Sequence, residues 1–238
     1  MRRRQLLSLL GALSLGALLL APAAAFADQQ DVSVLRSRNW AGYIATHAYY
    51  TGVSALIQVP TADSAQQVGV TSSWIGVGGA ESADLIQAGV DVINRGNGPR
   101  YHAWVEALPQ ASHQLGLDVN PGDLVLVDIH EIRPNLWQGT IVDGQQVYQR
   151  QVWYVSSHSS VEWIVEAPSL ANGLLLPLAD VSGASFSKMS AIANGIESTP
   201  QQLSAQPVVL VGPNGGIRAR PSALGPDGAS FSVTIAGR

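Results

Sequence analysis

Short runs in which every second residue is apolar recur along most of the chain, separated by Gly, Pro, Asn and Asp. The clearest are NWAGYIA, VSALIQVP, TSSWIGVG, DLIQAGVDVI, YHAWVEAL, DLVLVDIHEI, WQGTIVDG, QVYQRQVWYV, VEWIVEAP, QPVVLVG and SFSVTIAG. A period of two bounded by turn residues predicts strands, and many short strands at this spacing predict an all-β sandwich of antiparallel sheets in a single domain. The chain contains no internal repeat and no long amphipathic helical pattern. Helix is expected not to exceed a few turns, with Ser190 to Asn194 as the candidate stretch.

The same alternation sorts side chains onto faces, because successive residues of a strand point to opposite sides. In DLIQAGVDVI, Ile86, Ala88, Val90 and Val92 share one face, leaving Gln87 and Asp91 on the other. YHAWVEAL groups His102, Trp104 and Glu106 opposite Tyr101, Ala103 and Val105. TSSWIGVGG groups Trp74 with Gly76 and Gly78, and VEWIVEAP groups Glu162, Ile164 and Glu166. Several strands therefore offer a face that mixes aromatic rings with amides and carboxylates, which is how a sheet builds a binding groove.

The pattern breaks at the start of the chain. Arg2, Arg3 and Arg4 precede an apolar run from Leu6 to Leu20, followed by Ala25-Phe26-Ala27. That order is a secretory signal over residues 1–27, with cleavage expected before Asp28 and export to the extracellular space. No later segment is apolar for long enough to span a bilayer, so no membrane association is expected after cleavage. Residues 28–38 form a short N-terminal segment, and 39–238 make up the folded domain.

Charge narrows the function classes. The leader holds three of the 13 Lys and Arg and none of the 17 Asp and Glu, leaving ten basic against 17 acidic residues. An acidic chain lacks the basic footprint that nucleic-acid binding requires. Charged residues are only 13% of the chain, about half the ~25% usual for soluble domains. With few cations, self-repulsion in acid is modest, so the composition tolerates low pH. Cysteine is absent, so the exported domain stands on its core without disulfides.

Taken in order, NWAGY (39–43), SSWIGVGG (72–79), LIQAGVD (85–91), AWVEALP (103–109), PGD (121–123) and EWIVEAP (162–168) resemble the glutamic peptidases, or eqolisins. The likeness runs from about Asn39 to Phe186. It implies a two-sheet sandwich and an acid-acting, pepstatin-insensitive endopeptidase with a Glu and Gln dyad. Position by position, the catalytic Glu falls on Glu166 and the Gln on Gln87, and the family's aromatic and acidic wall falls on Trp74 and Glu106. Trp104 and His102 extend the expected substrate-binding face. Two departures stand out: the family commonly has an acidic residue where this chain has Gly78, and some members have Asp where it has His102. Fungal members often carry a long propeptide, whereas only Asp28 to Arg38 lies between the signal and NWAGY, so a conventional inhibitory propeptide is not expected.

The dyad also makes chemical sense on its own terms. Hydrolysing a peptide without a metal or covalent nucleophile needs a base for water, a donor for the oxyanion and an acid for the leaving amine. A carboxylate supplies the first and third, and an amide NH2 the second. Two rival readings follow from the same residues: a glycoside hydrolase using Glu162 and Glu166, or a non-catalytic carbohydrate-binding sandwich with exposed Trp. Four strand steps set the two Glu backbones ~13 Å apart, against the ~5 to 9.5 Å between glycosidase carboxyl groups. His47, His102, His113, His130 and His158 are scattered, HEIRP lacks the second His of HExxH, and there is no GxSxG elbow, so no metal and no cofactor are expected. A monomer acting on protein or peptide substrates is the expectation.

Overall fold

The computed structural model describes residues 34–63, 67–170 and 172–236. The expected signal at 1–27 lies outside the described residues. All regular structure among them is β, in eighteen strands. The first half supplies β1 (Leu35–Ser37), β2 (Trp40–Thr46), β3 (Tyr50–Gln58), β4 (Thr61–Ala62), β5 (Gly69–Gly78), β6 (Leu85–Asn94), β7 (Pro99–Ala107) and β8 (His113–Gln114). The middle supplies β9 (Leu124–Arg133), β10 (Leu136–Asp143), β11 (Gln146–Trp153) and β12 (Ser160–Glu166). Then come β13 (Val181–Ser182), β14 (Ser185–Ala193), β15 (Ile196–Ser198), β16 (Gln206–Val211), β17 (Ile217–Pro221) and β18 (Phe231–Ile235).

Two large sheets form, as the alternation predicts, beside a two-stranded ribbon of β4 and β13. One runs β17-β16-β2-β12-β5-β6-β7-β8 and the other β11-β10-β9-β3-β14. They join through β18, which pairs with β17 in the first and β14 in the second. The ladders named are antiparallel, whereas β1 adds in parallel to β16. Part of the segment before Asn39 is thereby tied into the sheet.

The core lies between the sheets. Ile75 and Val77 of β5, Ile86, Ala88 and Val90 of β6, and Val161, Trp163 and Val165 of β12 face Val53, Ala55 and Ile57 of β3 and Val125, Val127 and Ile129 of β9. Each set occupies alternate positions, so burial of one face dictates the register of the other. Trp163 donates its indole N–H to the Ser54 carbonyl across the interface at 3.1 Å, satisfying the polar atom its burial would otherwise strand.

No helix forms at Ser190 to Asn194. That stretch is the end of β14 and the turn after it. A register shift between Ser187 and Ser190 interrupts the alternation, hiding the strand from a period-two reading, while Met189, Ala191 and Ala193 still point inward.

Candidate active site

Because cross-strand partners share a face, the register lays the polar positions out in rows. Glu166 of β12 pairs with Ser72 of β5, Ser72 with Asp91 of β6, and Asp91 with His102 of β7. Next come Ile164, Trp74, Gly89 and Trp104, and then Glu162, Gly76, Gln87 and Glu106. Glu166, Trp74, Gln87, Glu106, Trp104 and His102 therefore stand on one face of four adjacent strands, opposite the core.

An apolar bed supports them: Ile44, Trp74, Leu85, Trp104, Ile164 and Val208, with Trp40 and Leu108 packed against it. Glycine makes the bed possible. A Cβ at Gly89 would lie 2.2 Å from the Ser73 carbonyl oxygen and 2.6 Å from Trp74 Cβ. At Gly76 it would meet Leu85, Trp74 and Gln87 within 3.2 Å. Trp74, wholly buried, fills the room these glycines leave, with Trp40 edge-on to it at 5.2 Å and 77°.

Glu166 is held at both oxygens. Asn39 Nδ2 donates to Oε1 at 2.9 Å and Trp74 Nε1 donates to Oε2 at 2.8 Å. Ser37 fixes the amide of Asn39 in turn, donating from its hydroxyl to Oδ1 at 3.0 Å and leaving Nδ2 for the carboxylate. Burial pushes the Glu166 carboxyl up to about 7, against the pull of these donors, and the Glu106 charge adds to the rise. Asn39 is a site residue that the strand pattern did not single out, since it precedes β2 and meets a partner 127 residues away.

Gln87 is buried, yet its amide is aimed. Nε2 donates one hydrogen to Glu106 Oε2 at 2.5 Å, and among the described residues the other hydrogen and Oε1 have no partner. Burial raises the Glu106 carboxyl, which the Gln87 and Ser112 hydrogen bonds oppose. Asp91, pushed up to about 6 by burial, accepts from Ser72 Oγ at 2.5 Å and faces Trp104, whose indole N–H is itself outside hydrogen-bonding geometry. Three carboxyl groups that resist ionisation thus share this face with one buried amide, and Glu106 touches it. Among the described residues no group of three or more His, Cys, Asp or Glu converges to hold a metal ion.

The sequence profile of the peptidase A4 family matches residues 38–218, a span that includes every one of these side chains. The chain belongs to that family. It is a peptide hydrolase of the glutamic, or eqolisin, type. The sandwich superposes on scytalido-glutamic peptidase bound to a transition-state analogue inhibitor with a TM-score of 0.71, at 21% identity over 84% of this chain and 99% of that one. It also matches SCP-B, an eqolisin in complex with the tripeptide Ala-Ile-His, with a TM-score of 0.67, at 20% identity over 84% and 99%. Aspergilloglutamic peptidase from Aspergillus niger gives 0.62, at 22% identity over 71% and 99%. At these identities the superpositions establish the shared fold. No curated protein sequence matches the chain.

The peptidase separates its two neighbouring glutamates sharply. Glu162 has no exposed surface, and among the described residues neither carboxyl oxygen has a partner in hydrogen-bonding geometry. Burial holds it well above the ordinary carboxylate range, the Asp84 charge adds to the rise, and nearby Ser160 and the Ala80 backbone oppose it. A carboxyl group sealed from water cannot serve in a glycosidase pair with Glu166. Gly78 has a physical reason for lacking the acid common in the family. Its φ of +86° is left-handed, and a Cβ there would lie 2.6 Å from the Asp84 carbonyl oxygen and 2.8 Å from Asp84 Oδ2. Although burial opposes its charge, hydrogen bonds from the Ser157 backbone and from Ser82, Ser157 and Ser156 hold the Asp84 carboxyl below its ordinary value. A carboxylate therefore already occupies the space beside position 78.

Proposed function

We propose that this peptidase cleaves protein or peptide substrates by a Glu166 and Gln87 dyad, in mildly acidic surroundings outside the cell. One arrangement carries the reading: on a single sheet face, a carboxyl group gripped by two donors and a buried amide with one free N–H. Ionised Glu166 takes a proton from water as the oxygen attacks the carbonyl carbon. The free N–H of Gln87 meets the developing oxyanion, and Glu166 then returns its proton to the departing amine. Glu106 is a positioning residue, because it holds the other Gln87 hydrogen and so fixes the direction of the amide. Its neutral form does so without placing a negative charge beside the oxyanion.

The pH dependence follows from the signs. The base must be ionised, so activity climbs as Glu166 loses its proton. Glu106 and Asp91 must not oppose the oxyanion, so activity falls as they ionise. All three are raised, and the resulting bell belongs to the coupled group, peaking below neutrality. The leader supports export, and secreted material should begin at Asp28 by amino-terminal sequencing.

Kinetics on denatured casein and defined peptides test the dyad. Glu166→Gln should abolish turnover and Glu162→Gln should leave most of it. Gln87→Ala should lower kcat ~100- to 1,000-fold with little change in KM, the usual consequence of losing an oxyanion donor. Near wild-type kcat in a folded Gln87→Ala enzyme would remove the amide from the mechanism, and inhibition by pepstatin would point to a different dyad.

A further inference from the structure

Beyond Asp91 and His102 the same face continues toward the β6–β7 turn, and its chemistry changes sign. Ile93, Arg95, Asn97, Gly98, Arg100 and His102, joined by Gln114 of β8, line a pocket of about 380 Å³. Ile93 pairs with Arg100 one row along from the Asp91–His102 pair, and Arg95 follows the end of β6, so the guanidinium-bearing positions share the face of the dyad. Both Arg are exposed, and among the described residues no carboxylate comes within 4.0 Å of either and neither side chain makes a hydrogen bond. In a chain left with ten Lys and Arg after its leader, two free guanidiniums and an imidazole at one pocket are a concentration of cation with no internal partner.

We propose that this pocket is a substrate subsite that takes an acidic side chain of the peptide, and so gives the enzyme a preference for anionic segments near the cleaved bond. The proposal rests on the dyad reading for the direction of the cleft. Three strand spacings of ~4.8 Å separate β12 from β7, and Arg100 lies two residues beyond the row of Glu166. Together these place it ~16 Å from that residue's backbone, or four to five residues of extended peptide at ~3.3 Å each. Planar guanidiniums accept a carboxylate in paired, charge-assisted hydrogen bonds. The other ionisable groups on this stretch are His102 on β7, a third cation when protonated, and Asp91 on β6, which is turned to Ser72 of β5. The β8 and turn residues, Gln114 and Asn97, are uncharged. A free Asp side chain ionises near pH 3.9, so the preference appears above that pH and fades below it.

Binding separates this proposal from the dyad itself. Acetylated and amidated peptides that differ only in Asp or Asn, three to five residues from the cleaved bond, are titrated into the Glu166→Gln protein by calorimetry. At pH 5 the Asp peptide should bind about three- to tenfold more tightly, the scale of one or two partly screened ion pairs. That ratio should fall toward one at pH 2.5, in 0.5 M salt, and in the further variant Arg95→Gln/Arg100→Gln at pH 5, with thermal melts confirming the fold. A ratio of one at every position at pH 5, or a ratio unmoved by the double substitution, overturns the subsite. Residual turnover by Glu166→Gln would instead overturn the dyad while leaving the binding ratio to stand or fall alone.

Discussion

Asn39 shows how one uncharged side chain sets the working range of a charged one. Its N–H favours the ionised form of Glu166, so removing it raises a carboxyl group that burial already pushes to about 7. Hydrogen bonds to charged groups contribute roughly 1.5 to 3 kcal/mol. Asn39→Ala should therefore lower kcat/KM ~10- to 100-fold at pH 4 to 5, with the deficit shrinking as rising pH ionises Glu166 regardless. A series of kcat/KM values across pH reads this directly. A deficit that stays constant with pH would mean that Asn39 only shapes the fold.

Among the elements, the β5–β6 ladder has little freedom, since Trp74 lies against the bare Cα of Gly89 two residues from Gln87. A methyl group at Gly89 meets the Ser73 carbonyl at 2.2 Å, and backbone cannot step aside as a side-chain tip can. Overpacking of this kind costs typically ~1 to 3 kcal/mol, so Gly89→Ala should lower the thermal midpoint and impair turnover together. An unchanged melt with intact kcat would show the ladder to be slack. These strands are buried on both faces, but one side is uniformly apolar while the other mixes Trp and Gly with Gln, Asp and Glu, and that contrast left the period-two trace that also assigned Gln87, Glu106 and Glu166 their side. The bulge in β14 erased that trace and suggested a helix. The hydrogen bond from Gln87 to Glu106 and the reach of Asn39 to Glu166 left no trace, because partners 19 and 127 residues apart are joined only by folding. Nor could periodicity tell Glu162 from Glu166. They share a face, and only the fold leaves Glu162 with no exposed surface while Glu166 keeps some.

For the molecule as a whole, the buried carboxyl groups tie stability to acid. Asp91, Glu162 and Glu166 are all raised by burial above the values near 4 they hold when unfolded. Between about pH 4 and 7 the folded protein therefore keeps protons that the unfolded chain releases, so stability is fully present below that window and is lost as pH rises through it. A tenfold difference in proton affinity between the folded and unfolded states corresponds to ~1.4 kcal/mol, and the domain has no disulfide to offset the loss. Thermal midpoints should be highest near pH 4 and fall toward pH 8. Glu162→Gln should flatten that slope by removing a group that must otherwise ionise in a sealed site. A midpoint that instead rises toward neutrality would contradict the assignment of these carboxyl groups as neutral in acid.

The contact between Gly78 and Asp84 also constrains how this chain can change. An Asp introduced at 78 would enter a left-handed backbone position and strike the Asp84 carbonyl and carboxylate at once, whereas losing the Asp84 side chain alone strips the Ser156 hydroxyl and the Ser157 backbone N–H of their acceptor. Either replacement made alone should lower the thermal midpoint, so moving the acid from 84 to 78 one substitution at a time crosses a less stable protein.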